Sequence, residues 1–305
     1  MAQPKLRIVF FGTPDFAAYS LEKIVRSGFD VVGVVTAIDK PAGRGQKISE
    51  SAVKQKAIEL GLKVYQPVNL KSEEFHNQLQ ELNPDLGVVI AFRMLPERVW
   101  SFPPLGTINL HGSLLPQYRG AAPIHHAIIN GEKTTGLTTF FLKHEIDTGD
   151  IIAKTTLSIG ENETVGELHD RMMVEGADLM AQTLELISNG EYKTTAQDFS
   201  EELKSAPKLN REFAELSLEL NLNDFHNKVR GLSPFPGAWI KSQWGDMKIF
   251  QGEKLSEHAV SESKSITLES RQLLICLSDG CYKVLKMQLP GKPKMTSTEF
   301  INGLK

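Results

Sequence analysis

The chain has 305 residues, of which 41% are hydrophobic and 23% charged, and its net charge is −3. This is the make-up of an ordinary soluble protein, long enough for two domains and a sizeable core. A membrane protein is not expected, because no apolar run approaches the roughly 20 residues that a span needs.

The opening MAQPKLRIVFFG runs straight into a strand without a cleavage-site pattern, so no signal peptide is expected. Residues 6–11 (LRIVFF) are apolar nearly throughout, as in a strand buried on both faces. Thr13 is placed to cap a helix with Pro14 as its first residue. Phe16, Leu21, Ile24 and Val25 then recur at helical spacing until Gly28 ends the run. Residues 31–36 form the next strand. This β-α-β order predicts a doubly wound, mostly parallel sheet. Gly12 stands without the second and third glycines of G-x-G-x-x-G, which disfavours NAD binding and with it a dehydrogenase.

Residues 39–56 (DKPAGRGQKISESAVKQK) interrupt the pattern with a basic, glycine-rich loop. Lys40, Arg44, Lys47, Lys54 and Lys56 are opposed only by Asp39 and Glu50. The loop follows a parallel strand at the edge where α/β ligand sites gather, so contact with a phosphate backbone is an option. Ser51 then caps a helix ending at Gly61, residues 64–65 make a short strand, and Ser72 caps a helix running to Asn83. Residues 86–91 (LGVVIA) are another buried strand, which delivers Phe92, Arg93, Met94 and Leu95 to the same edge.

Residues 106–120 (GTINLHGSLLPQYRG) hold the densest chemistry. Ile108 and Leu110 alternate with Asn109 and His111, so the amide and the imidazole share one strand face. A hydrogen-bonding carboxamide beside an imidazole that can carry charge suits a developing oxyanion. A helix follows from 123 to 130, then strands at 134–142 and 151–158, separated by the polar loop KHEIDTGD. Thr164 and Glu167 form a capping box for a long amphipathic helix that stops at Gly190. His125 and His126, adjacent on their helix, point different ways and are expected to be structural.

Residues 191–208 have the polar character of a linker. Beyond it a helix at 222–231 precedes short strands near 239–243, 247–250, 265–267, 272–277 and 282–289, a pattern that suggests a small barrel. Residues 206–305 carry a net +3 and residues 1–205 a net −6, which permits a polyanionic partner on the C-terminal part. Cys276 and Cys281 flank a Ser-Asp-Gly turn and could face one another across a hairpin. Free thiols in a reducing cytoplasm are expected, and zinc is not, since the histidines show no ligand spacing.

With these pieces placed, the chain resembles the methionyl-tRNA formyltransferases nearly end to end. The motifs that carry the resemblance are VFFGTPDFA, DKPAGRG, QPVNL, AFRMLP, NLHGSLLPQYRGAAPIHHAI, IDTGDI, VRGLSPFPGAW and GKPKM. SLLPQYRG is shared by enzymes of other acceptors that handle 10-formyltetrahydrofolate, whereas the PAGRG loop and the C-terminal module resemble the tRNA-directed branch. The resemblance implies an α/β architecture: a Rossmann-like formyltransferase domain with a mostly parallel sheet over 1–190, a linker over 191–208, and a small OB-like β-barrel domain over 209–305 that binds tRNA. It implies transfer of the formyl group of 10-formyltetrahydrofolate to the amino group of methionyl-initiator tRNA. A cytoplasmic protein without a metal is expected, and nothing in the sequence calls for more than a monomer.

Carried over residue by residue, the resemblance makes Asn109, His111 and Asp147 catalytic. Phe92, Arg93, Met94, Leu95, Ser113, Leu114, Leu115 and Pro116 are expected at the folate, and Arg44, Lys40 and Lys47 at the tRNA. Asn109 and a protonated His111 would donate to the oxyanion, while Asp147 would set an opposite charge beside the imidazole and accept the amine proton. The nearest alternative is a folate-dependent formyltransferase acting on a sugar nucleotide or purine precursor. A non-catalytic RNA-binding protein on the same scaffold is a third reading.

Overall fold

A computed structural model of the chain describes residues 5–42, 47–255 and 264–304, with backbone alone at 41–42 and 47–48. The chain divides into two compact units. The first comprises residues 1–119, 136–156 and 170–204, and the second 120–135, 157–169 and 205–305.

The first unit begins with β1 (Arg7–Gly12), α1 (Asp15–Arg26) and β2 (Asp30–Val35). The helix starts one residue later than its sequence suggests. Pro14 is the N-cap and contributes no side-chain hydrogen bond, while Asp15 favours the positive end of the helix dipole. A two-stranded ribbon, β3 (Lys40–Ala42) and β4 (Lys47–Ser49), replaces the expected plain loop. Next come α2 (Ala52–Glu59), β5 (Val64–Tyr65), α3 (Glu73–Leu82), β6 (Leu86–Ile90), α4 (Glu97–Trp100) and β7 (Thr107–His111). Ser51 and Ser72 cap α2 and α3 by accepting from the backbone N–H groups of Lys54 and Phe75, as their positions predict.

After the two-residue β8 (Arg119–Gly120) and α5 (Pro123–Ile129) come β9 (Thr134–Phe141), β10 (Ile151–Ser158) and α6 (Val165–Asn189). Seven strands form one sheet in the order β10-β9-β7-β6-β1-β2-β5. The pairs β1–β2, β1–β6, β2–β5 and β6–β7 are parallel, and β7–β9 is antiparallel. This is the mostly parallel, Rossmann-like arrangement that the buried strand runs predict. Chain order reverses about β1, and the carboxyl ends of β1, β6 and β7 all emerge at one edge, where such folds bind ligands. Ile8, Val9, Phe10, Leu86 and Val88 are fully buried, or nearly so, in its core. Gly176 of α6 lets that helix approach β7 closely, since a Cβ there would lie 2.9 Å from Leu110.

In the second unit, β11 (Ser205–Ala206) and α7 (Leu222–Gly231) precede β12 (Ala238–Ser242), β13 (Gly245–Leu255), β14 (Ser265–Glu269), β15 (Gln272–Leu277), β16 (Gly280–Gln288), β17 (Met295–Thr296) and α8 (Ser297–Asn302). The strands run in the order β12-β13-β16-β15-β14, with β17 added on β16, as an antiparallel, OB-like curled sheet. The β13–β16 register shifts on either side of Gln251, and such bulges bend a strand as a barrel requires. Gly252 sits at the tightest point, where a Cβ would lie 2.3 Å from the Tyr282 ring. Phe225, Val229 and Leu232 pack with Met247, Ile249, Ile275, Tyr282 and Val284 in the core of this unit.

Two expectations change here. Cys276 and Cys281 are not free thiols but joined in a disulfide. They are directly opposed in the β15–β16 register, with Cα atoms 4.0 Å apart. α8 was not expected from the sequence, although Thr296 and Glu299 form the same kind of capping box as Thr164 and Glu167. His126 is buried as expected, with Nε2 donating to the Pro207 carbonyl at 3.0 Å.

Candidate active site

The loops at the carboxyl edge of the first unit are held in unusual backbone conformations. Ala91 after β6, Tyr118 beyond β7 and Asp147 between β9 and β10 all have positive φ, at 47°, 59° and 56°. For non-glycine residues such conformations cost free energy and persist where surroundings over-determine them, often at functional sites.

Asn109 and His111 lie two residues apart on β7, paired with Phe140 and Thr138 of β9. They therefore project from the same face of the strand. Asn109 is half-buried and His111 is buried. The His111 Nε2–H donates to the Tyr118 carbonyl at 2.9 Å, because a carbonyl can only accept. The other nitrogen, Nδ1, lies 3.8 Å from Oδ2 of Asp147. The ring is thus oriented by the chain's own backbone, with one nitrogen committed and one turned to a carboxylate.

The loop after β7 is fixed from below. The Thr138 hydroxyl donates to the Ser113 carbonyl at 2.7 Å and accepts from the Leu115 N–H at 3.1 Å. Ser113 donates to the Gln117 carbonyl, and Lys154 Nζ donates to the Leu115 carbonyl, both at 2.6 Å. Burial lowers the Lys154 proton affinity from its ordinary value. The Leu115–Pro116 bond is cis. These contacts bury the side chains of Ser113 and Leu115 within the protein and leave Leu114 and Pro116 half-buried.

At the neighbouring edge Leu95 is buried in a core cluster with Val9 and Phe11, and Phe92 packs against that cluster half-buried. Met94 is 73% exposed, as is Val68 at 77%. Arg93 donates to the backbone carbonyls of Pro67 and Val68 and lies over the Phe92 ring. Its charge therefore braces this apolar rim.

Residues 6–184 match the family "Formyl transferase", and residues 208–305 match "Formyl transferase, C-terminal domain". The chain belongs to the formyl transferase family. Similar proteins include the methionyl-tRNA formyltransferase of Flavobacterium johnsoniae, 46% identical over 98% of this chain and 96% of that one. The protein of the same name from Bacteroides thetaiotaomicron is 45% identical over 100% of this chain and 98% of that one. Among solved structures, HypX from Aquifex aeolicus in complex with tetrahydrofolic acid has a TM-score of 0.64 at 19% identity. It covers 97% of this chain, which spans 47% of that protein. An N-formyltransferase from Helicobacter canadensis in complex with folinic acid and dTDP-3-aminofucose has a TM-score of 0.65 at 19% identity, covering 95% of this chain and 100% of that one. At this identity the two structures speak for the fold.

In this formyl transferase the basic stretch is less bare than its sequence suggests. Lys54 is paired with Asp39 and with Glu50, and Lys56 with Glu22 and Glu59. The Lys54 ammonium beside Asp39 holds its carboxyl below the ordinary value. α2 places both lysines among acids from its own ends, from α1 and from the segment after β2, so neither is an unopposed cation. Lys40 is exposed. Arg44 and the Lys47 side chain lie outside the described residues.

Gln197 also belongs to the site, though nothing in the sequence points to it. Its buried side chain donates from Nε2 to the carbonyls of Asp147, at 2.8 Å, and Gly149, at 2.9 Å. A lone glutamine in a polar, aperiodic stretch carries no signal of such a role. Thr138 carried no signal of its own either, since it is fully buried within the strand TTGLTTFF. No group of three or more His, Cys, Asp or Glu among the described residues could hold a metal ion, and no helix among them is long and apolar enough to cross a membrane.

Proposed function

We propose that this formyl transferase moves the formyl group of 10-formyltetrahydrofolate to the free amino group of methionyl-initiator tRNA, acting as a cytoplasmic monomer. The observation that carries the reading is the approach of Asp147 to the oriented imidazole of His111, on the strand face it shares with Asn109. The full-length similarity to proteins named methionyl-tRNA formyltransferase supports the choice of acceptor.

The donor supplies the formyl group and departs as tetrahydrofolate. Exposed Met94 and Val68, with half-buried Phe92, fit an aromatic pterin, and Leu95, Arg93 and Ser113 to Pro116 shape its edge through packing and backbone groups. The Asn109 carboxamide donates a hydrogen bond to the oxyanion that develops on the formyl oxygen. His111 has Nε2–H committed to Tyr118, so only Nδ1 is left to face Asp147 and the reacting centre. Asp147 accepts the proton released by the attacking amine, directly or through one water, and that proton passes to the folate nitrogen as its bond to the formyl carbon breaks. No covalent enzyme intermediate is needed.

Residues 1–190 perform this chemistry, residues 191–208 connect, and residues 209–305 hold the tRNA. Lys40, Arg44 and Lys47 meet its phosphates. The test is incubation with 10-formyltetrahydrofolate and three acceptors in turn: methionyl-initiator tRNA, an amino-sugar nucleotide and a ribonucleotide amine. Formylation of the charged tRNA is expected. Preference for either small acceptor would replace this reading with the small-molecule alternative.

A further inference from the structure

The segment between the two family matches, residues 185–207, is covered by neither. Part of it nevertheless lies against both loops of the candidate site. Thr195 and Ile151 exchange backbone hydrogen bonds at 2.9 and 2.8 Å. Phe199 lies under the Arg119 guanidinium, 4.9 Å from its ring centroid. The Lys204 carbonyl accepts from the Tyr118 N–H at 2.7 Å, and the Gln117 amide bonds to the backbone of Glu202 and Lys204.

The loop that carries Asp147 needs such support. β9 is antiparallel to β7, so Phe141, its last residue, pairs with Ile108 rather than with His111. Three residues of strand, about 10 Å, separate these levels. The chain must therefore return along the sheet to set Asp147 beside the imidazole. Gly149 makes the return possible, because any Cβ there would lie 1.6 Å from the Phe141 carbonyl oxygen. Asp147 itself takes the left-handed conformation. Across this turn the two N–H bonds of one buried carboxamide grip the carbonyls of residues 147 and 149.

We propose that Gln197 is a positioning residue, which sets the Asp147 carboxylate against Nδ1 of His111 by clamping the returning loop. The inference rests on the formyl-transfer reading given above. A primary amide suits the task because it presents two donors in a fixed fork, which no carboxylate, alcohol or thioether does. The Gln197 Oε1 is buried with no hydrogen-bond partner among the described residues. An unpaired buried acceptor is a cost to stability.

The experiment compares the full-length wild-type chain with Gln197→Met, which keeps the volume, discards both donors and removes the unpaired acceptor. Gln197→Asn keeps the amide but falls one methylene short of the two carbonyls, and guards against a folding defect in the first variant. Steady-state formylation of methionyl-tRNA is measured alongside amide hydrogen exchange of residues 146–150. With melting temperature held, kcat is expected to fall on the order of 10- to 100-fold, with KM for both substrates little changed. Exchange is expected to quicken in that loop. A wild-type enzyme that formylates tRNA, with variants equal to it in kcat, overturns the role of Gln197 and leaves the functional reading intact. A wild-type chain that does not formylate tRNA removes that reading. Unchanged exchange at 146–150 in the variants overturns the clamp in either case.

Discussion

The Tyr118 carbonyl oxygen accepts a hydrogen bond from His111 Nε2 at 2.9 Å, and this contact decides which ring nitrogen faces Asp147. Tyr118 can offer that carbonyl because its backbone is left-handed, with φ at 59°, and because its own N–H is tied to Lys204. The candidate site is thus assembled by main-chain geometry as much as by the three side chains proposed to do its chemistry.

Asp147→Asn keeps the shape of the carboxylate but removes its charge and its capacity as a proton acceptor. Turnover is expected to fall on the order of 100-fold or more, the usual scale for losing a positioned general base. Initial rates at saturating tRNA and folate check this. An unaltered kcat would assign the amine proton to another group.

Lys40 is exposed and Arg44 belongs to the same basic stretch. Arg44→Ala is expected to weaken tRNA-dependent rates while leaving folate binding unchanged. The affinity for tRNA should fall as salt rises, and Lys40→Ala should reduce the slope of log K against log salt by about 1 if it releases one counterion. Equal losses toward tRNA and folate would move these residues out of the RNA contact.

The second unit should lose stability in mild acid. His125, His126 and His226 are each held below the ordinary imidazole value of 6.5 by burial. His226 is locked neutral between partners: its Nε2–H donates to the Glu161 carbonyl, and its Nδ1 accepts from the Tyr282 hydroxyl, both at 3.3 Å. Below about pH 6.5 the unfolded chain binds protons that the folded unit refuses, so stability rises with pH through that window and levels off above it. The melting temperature should drop from pH 7.5 to 5.5, and less steeply in His226→Asn. A flat profile over that range would contradict the burial of these rings.

What the sequence disclosed was set by local rules. The Ser51 and Ser72 caps, the Thr164–Glu167 box and the bounds of β10, α7 and β15 follow from residues within a turn or a strand of one another. β13 proved far longer than expected, because its half-exposed QGEKL end has the composition of a turn. α8 escaped notice because six residues with Phe300 as their buried anchor show no periodicity. The disulfide depends on exact cross-strand register, which a five-residue spacing alone does not fix.

The site divides in the same way. Asn109 and His111 are legible as a two-residue repeat on one strand. Gln197 is not, because it acts on backbone carbonyls up to 50 residues away and its chemistry leaves no pattern in its own neighbourhood.

Formyl transfer at the end of β7 is tested most directly by single-turnover transfer from 10-formyltetrahydrofolate to bound methionyl-initiator tRNA, comparing wild type with Asn109→Ala. Loss of one oxyanion donor predicts a drop on the order of 100- to 1,000-fold in the transfer step, with tRNA and folate binding retained. Transfer at the wild-type rate in the variant would contradict the account.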